Sequence, residues 1–173
     1  MRINIEPVRK KETANVIDFD YQIEDDAKNE YAALLSAERV GSVRISGSVS
    51  QKNGFAFIGY EIDAEFDAQC ARCNNDAPQV LRIVGEKYFA DKSDGKDGFD
   101  LNDDYYTLEN PGVVDLRDFA AEFLSLEAPL RYLCGEDCKG LCQSCGNDLN
   151  SSECGCPQKP KNPAFKALDN FFD

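Results

Sequence analysis

Eight cysteines and no histidine constrain this chain more than any other feature. The cysteines stand in four close pairs, Cys70/Cys73, Cys134/Cys138, Cys142/Cys145 and Cys154/Cys156, and six of them crowd into residues 134–156. Thiolates two to four positions apart, set among Gly, Asn and Asp residues that permit tight turns, converge on one tetrahedral ion without help from a large core. With no imidazole to substitute, such a site is all-sulfur or borrows a carboxylate. Intact pairs combine into two four-thiolate sites in three ways. Spacing favours Cys142, Cys145, Cys154 and Cys156 as one set, because Cys142-Gln-Ser-Cys145-Gly146 reads as a metal knuckle and the chain has room to turn back before Cys154. Cys70, Cys73, Cys134 and Cys138 then make the other. The expectation is two structural zinc ions, with a single zinc and partly free cysteines as the alternative. Closed four-sulfur sites leave no position for water or substrate, so they point to architecture over catalysis.

Other sulfur chemistries fit less well. Cys138-x3-Cys142-x2-Cys145 has the spacing that holds an iron-sulfur cluster in S-adenosylmethionine radical enzymes, but those need a large barrel and too little chain follows Cys145. A simple iron-sulfur carrier uses the same ligands and would announce itself by colour and iron content. Thioredoxin-like exchange by Cys70 and Cys73 requires the motif to open a helix, whereas here it falls between strands. The chain offers no nucleophile motif, phosphate-binding Gly loop or open metal site, so neither an enzyme nor a small-molecule substrate is expected. No stretch has signal-peptide character, and no apolar run approaches the ~18 residues of a membrane helix. The expected location is the cytoplasm, where paired cysteines hold metals more often than disulfides.

A net charge of −13 rules out whole-surface attraction to a phosphate backbone. The charge is uneven, however. Residues 91–127 carry 3 basic against 11 acidic side chains, and residues 128–173 carry 5 against 6. Arg2, Arg9, Lys10 and Lys11 lie near the N-terminus; Arg131, Lys139, Lys159, Lys161 and Lys166 flank the cysteine cluster.

Hydropathy patterning points to an α+β fold. Ile17, Phe19, Tyr21 and Ile23 alternate with polar residues, as do Val43, Ile45 and Val49, and Asn53-Gly54 is the preferred dipeptide of a tight hairpin. Phe55 to Ala68 returns as a strand into Cys70, and Val80 to Phe89 leads away, so the first cysteine pair sits in a turn between two strands. The Asp- and Gly-rich residues 91–104 read as a solvated loop, without EF-hand spacing. After a short strand at Tyr105 to Glu109, Asp115 caps a helix with Leu116, Phe119, Ala120, Phe123 and Leu126 on one face up to Pro129. Asn162-Pro163 opens a shorter terminal helix bearing Phe165, Leu168 and Phe172. The predicted division is an antiparallel sheet domain with one packed helix over 1–133, and a Cys-rich zinc-binding appendage ending in a short helix over 134–173.

With its parts in this order, the chain resembles the YceD family of bacterial proteins. The resemblance rests on Cys70-Ala-Arg-Cys73 ending a strand, Val114-Asp-Leu116 leading through a helix to Leu126-Glu-Ala-Pro129, Cys138-Lys-Gly-Leu-Cys142-Gln-Ser-Cys145-Gly-Asn-Asp-Leu-Asn150, Cys154-Gly-Cys156, and Asn162-Pro-Ala-Phe-Lys-Ala-Leu168. Family tails often carry Asp-Pro-Arg where this chain has Asn162-Pro163-Ala164. The resemblance implies a non-enzymatic factor supporting synthesis, processing or accumulation of large-subunit ribosomal RNA, through RNA binding during ribosome assembly. An acidic protein binds RNA if basic side chains and backbone donors share one face; Arg72, Arg131, Lys139, Lys159 and Lys161 are the candidates. The competing expectation is a zinc-stabilised acidic adaptor that binds a basic ribosomal protein or assembly factor through its acidic surface and terminal helix.

Overall fold

Strict alternation over two unusually long runs of sequence produces the centre of the molecule. In the computed structural model, which describes residues 1–10, 16–24, 27–91, 105–108 and 112–157, β3 (Arg39–Lys52), β4 (Phe55–Gln69) and β5 (Asp76–Asp91) form antiparallel neighbours. Every second residue of β4 from Ala56 to Ala68 is buried, while Glu61, Asp63, Glu65 and Asp67 stay on the other face. The sheet therefore has one dry and one wet side. Asn53 and Gly54 join β3 to β4 with φ of 54° and 90°, the backbone of the hairpin turn that this dipeptide favours.

Short elements complete the fold. β1 (Arg2–Asn4) pairs with β7 (Val113–Asp115) as a separate antiparallel ribbon, and α1 (Glu6–Arg9) follows β1. β2 (Ile17–Gln22) adds to the free side of β3. The helix α2 (Lys28–Leu34) comes next, and β6 (Tyr105–Leu108) adds to the end of β5. The five-stranded order is β2-β3-β4-β5-β6.

The sheet departs from expectation in one respect. β6 runs parallel to β5, so the sheet is mixed, not purely antiparallel. A parallel neighbour needs a crossover of a dozen or more residues, and residues 92–104 supply that length. Two helices join the anticipated one. α2 is legible after the fact, because Ala27, Tyr31 and Leu35 are all buried at a spacing of four. α1 covers a single turn, with Val8 buried.

The predicted helix is α3 (Leu116–Glu127), and the Asp115 carboxylate accepts the Arg117 N–H at 3.1 Å to cap it. It buries Leu116, Phe119, Ala120, Phe123 and Leu124 on the sheet; Leu126, at the margin of that stripe in the last turn, is exposed. Phe119 and Phe123 close on the Tyr60 ring at centroid distances of 4.9 and 5.0 Å. Gly85 makes room for that ring, since a Cβ there would fall 2.5 Å from the Tyr60 hydroxyl. The Tyr132 hydroxyl donates to the Leu35 carbonyl at 2.8 Å and fixes the chain leaving α3 to the end of α2. The terminal helix expected at Asn162 lies outside the described residues. No helix among the described residues is long and apolar enough to cross a membrane.

Candidate metal centre

The turn between β4 and β5 holds Cys70 and Cys73, and its backbone explains why. The Cys70 N–H donates to the Asn75 carbonyl at 2.9 Å, the Asn74 N–H donates back to the Cys70 carbonyl at 2.8 Å, and Asn74 adopts φ of 60°. That left-handed step turns Cys73 back over Cys70. The same turn recurs at Cys142: its N–H donates to the Asn147 carbonyl at 2.8 Å, the Gly146 N–H donates to the Cys142 carbonyl at 2.8 Å, and Gly146 has φ of 74°. The two turns share the sequence Cys-x-x-Cys-(Asn/Gly)-Asn-Asp, as Cys70 to Asp76 and Cys142 to Asp148. This short repeat was visible in the sequence, but attention to the cysteines alone hides it.

Each knuckle acquires a second pair. Cys134 and Cys138 come from the segment after α3, which reaches the first knuckle because Cys70 bridges to Tyr132 and the Ala71 N–H donates to the Tyr132 carbonyl at 2.9 Å. The sulfurs of Cys70 and Cys138 are 3.7 Å apart, and those of Cys73 and Cys134 are 3.6 Å apart. Tetrahedral coordination with metal–sulfur bonds of about 2.3 Å sets sulfur–sulfur edges near ~3.8 Å, so these spacings fit one ion. Cys142, Cys145, Cys154 and Cys156 form the second group, and in both groups all four sulfurs lie within 4.8 Å of one another. Both groups can hold a metal ion, in the pairing that the spacing favours. Cys138 belongs to the first group and Cys142 and Cys145 to the second, so the iron-sulfur spacing that runs through all three is split between two sites.

Ionisation is uneven within each group. Burial pushes the Cys70 thiol up, but the N–H groups of Cys134, Arg72 and Cys73 outweigh it and bring Cys70 down to about 6. The N–H groups of Cys145 and Ser144 likewise hold Cys142 at about 6. Hydrogen bonding with the crowded sulfurs of Cys138, Cys73 and Cys70 drives Cys134 up to about 12; the Cys145 sulfur does the same to Cys156, also to about 12. One thiolate per group is thus prepared by the backbone, whereas the last proton leaves readily only when a cation takes its place.

A polar network ties the groups together. Asn75 donates to the Asp148 carboxylate at 2.8 Å, and Asp148 also accepts from the Asn150 N–H at 2.9 Å and the Ser151 hydroxyl at 3.2 Å. These contacts hold the Asp148 carboxyl below the usual range, the Asn150 N–H contributing most. Asn150 in turn donates to the Cys138 sulfur at 3.5 Å, so a residue from the second knuckle supports a ligand of the first. The Leu141 N–H donates to the Arg72 carbonyl at 3.1 Å. Gly140 is required where these turns meet: it has φ of 72°, and a Cβ would approach the Arg72 carbonyl to 2.9 Å.

Of the five basic candidates, Arg72 donates to the carbonyls of Glu136 and Cys138 at 3.1 and 2.9 Å, so its guanidinium braces the first group. Arg131 and Lys139 are exposed. Lys139 borders a 560 Å³ groove beside Cys142, Cys154 and Cys156. Lys159 and Lys161 lie outside the described residues. Asn75, Asp148 and Asn150 were not anticipated as site residues; the sequence signal for the first two is the Asn-Asp repeated after each Cys-x-x-Cys, and Asn150 stands outside it.

A family model described as large ribosomal RNA subunit accumulation protein YceD matches residues 58–172, which include both cysteine groups. Among curated proteins, the chloroplastic large ribosomal RNA subunit accumulation protein YCED homolog 1 of Arabidopsis thaliana is 28% identical over 101 residues, 54% of this chain and 31% of the relative. The protein of the same description from Zea mays is 34% identical over 70 residues, 40% of this chain and 23% of the relative. The matched part of the chain spans less than a third of the length of these relatives. No solved structure matches the chain.

Proposed function

Because the chain belongs to the YceD family, we propose that it is a non-enzymatic, zinc-binding cytoplasmic factor that supports accumulation of large-subunit ribosomal RNA by binding that RNA during ribosome assembly. The observation that carries the reading is the pair of fused four-cysteine groups inside the family-matched region. All-thiolate donors with sulfur spacings of 3.6 and 3.7 Å suit zinc, and the ion supplies cross-linking of loops, with no coordination position left for substrate. With four sulfurs in each group and no histidine in the chain, neither group offers an open coordination position or an imidazole base. Residues 1–133 supply the sheet scaffold and residues 134–173 the Cys-rich part, with the first cysteine group shared between them.

RNA binding falls to the rim of the fused knuckles. Arg131 and Lys139 present positive charge there, Arg72 holds the loop between them, and Lys159 and Lys161 extend the basic sequence beyond Cys156. Phosphate contacts from these side chains and backbone donors of the turns suit recognition by shape.

Filter binding with a large-subunit RNA fragment across a salt series tests this. The intact protein is expected to lose affinity steeply with salt, and Arg131→Ala with Lys139→Ala to flatten the log–log slope by about 1 per lost phosphate contact. An unchanged slope and affinity in the double variant would reject the RNA face.

A further inference from the structure

We propose that the outer edge of β5, from Val80 to Glu86, is a docking strand for an extended basic segment of a partner protein. The two edges of the sheet are built differently. At β2 the outward side chains Asp18, Asp20 and Gln22 are all polar, and Arg44 pairs with Asp20. Charge along an edge is the usual protection against unwanted strand pairing. β5 has less of it, because Val80 and Val84 alternate with Arg82 and Glu86 on the outward face. β6 pairs only with Tyr88 to Asp91, and among the described residues no strand takes up the outer side of Val80 to Glu86. Every second residue there turns both its N–H and C=O away from β4.

The lower end of the same strand is closed: Pro78 offers no N–H, and the Gln79 amide donates to the carbonyls of Ala77, Pro78 and Leu133 at 3.2, 3.0 and 3.3 Å. The open stretch is thus about the length of an ordinary strand. It carries two β-branched apolar side chains on the wet face, Val80 and Val84, exposed by 75% and 70%. They sit opposite Glu65 and Glu61 in the β4 register.

Charge identifies the occupant. Glu61, Asp63, Glu65, Asp67, Asp76 and Glu86 line the wet face of β4 and β5; Arg82 pairs with Glu61 and Asp63 and Arg39 of β3 pairs with Asp67, which leaves Glu65, Asp76 and Glu86 without an ion pair among the described residues. An added strand that alternates small apolar side chains with Lys or Arg would complete the backbone ladder, cover the valines and neutralise the acids. A nucleic acid backbone meets the wrong sign here. The edge lies in the sheet, away from the metal turns, and the inference does not depend on the RNA reading.

The test uses the full, metal-loaded chain and a fluorescein-labelled peptide of about eight residues alternating Lys and Val. Anisotropy should show saturable binding that weakens with salt, and hydrogen exchange should slow from Val80 to Glu86 but not in β2. Val80→Lys with Val84→Lys should lower affinity by about tenfold or more without changing the melting temperature, since both side chains are exposed. Equal binding of a Glu-Val peptide, protection at β2 instead, or unchanged affinity in the double variant would overturn the proposal. So would protection of the same amides by large-subunit RNA alone, or a dimer that disappears in the double variant, which would give the edge to RNA or to a second copy of the chain.

Discussion

The two knuckles share a turn and a sequence pattern, yet they are held by different means. The first sits between the two longest strands of the sheet, with Cys70, Cys73 and Cys138 buried, Ala77 beside them and Leu133 packed against them. The second is carried by turns, and none of its four sulfurs belongs to a buried residue. The same seven-position pattern thus buries both of its cysteines in one place and neither in the other. Burial, strand pairing and aromatic contacts such as Phe66 against Tyr132 at 5.3 Å surround the first site. The second has little apart from the Asn147, Asp148 and Asn150 hydrogen bonds and its link to the first.

Breaking each knuckle in turn exposes the largest difference. Cys73→Ser removes a ligand that joins the β4–β5 turn to the segment behind α3, and it leaves a hydroxyl among buried sulfurs. A loss of more than about 4 kcal/mol is expected, equivalent to about 10 °C or more in the melting temperature of a chain this size. Cys145→Ser should release one metal ion, counted by native mass spectrometry, while the sheet melts within about 2 °C of the wild type. Equal thermal losses in the two variants would mean that the groups are one cooperative unit, and the contrast drawn from burial would fail.

Acid separates the groups less drastically. Protons compete with the metal for thiolates, so affinity at both sites falls as pH falls. The second group, open to solvent, should empty first. Native mass spectra taken at descending pH are expected to pass through a one-metal species. Alkylation at that point should label Cys142, Cys145, Cys154 and Cys156 before Cys70, Cys73, Cys134 and Cys138. Labelling in the reverse order, or both ions leaving in one step, would show that the network through Asp148 and Asn150 outweighs exposure.

Much of this was legible in the sequence because the relevant signals are local. The alternation in Phe55 to Ala68, the Asn53-Gly54 turn and the Asp115 cap each act within a few residues, and each produces the element it predicts. The set Cys142, Cys145, Cys154 and Cys156 was readable for the same reason, and the other set, whose pairs lie far apart in the chain, followed by elimination. Non-local features were hidden. Nothing in Tyr105 to Leu108 states its direction relative to β5, and α2 is too short for its Ala27-Tyr31-Leu35 face to stand out. The Asn75–Asp148 bond joins residues 73 positions apart; only the fold brings them together.

That bond can be tested directly. Asn75→Ala removes the donor to Asp148 and should cost about 1 kcal/mol, the ordinary worth of one hydrogen bond. Its signature is location: amide exchange should quicken between Gly140 and Cys156 and stay unchanged in β3 and β4. Faster exchange in the sheet instead would move the role of Asn75 from linking the knuckles to holding the β5 start.

The smallest effect, at Asn74, is expected among the left-handed residues. Asn74 and Gly146 occupy the same step of the two turns, with φ of 60° and 74°. A Cβ at position 146 meets nothing within 4 Å, so Gly146→Ala carries only the conformational cost of roughly 1 kcal/mol. Asn74→Gly should be close to neutral, because relief at positive φ is offset by a more flexible unfolded chain. Gly140→Ala adds a clash with the Arg72 carbonyl to the same backbone cost and should exceed Gly146→Ala in denaturant titrations. If the order of those two were reversed, the contact between the knuckles at Gly140 would be looser than its geometry states, and the second knuckle would be independent of the first in more than its exposure.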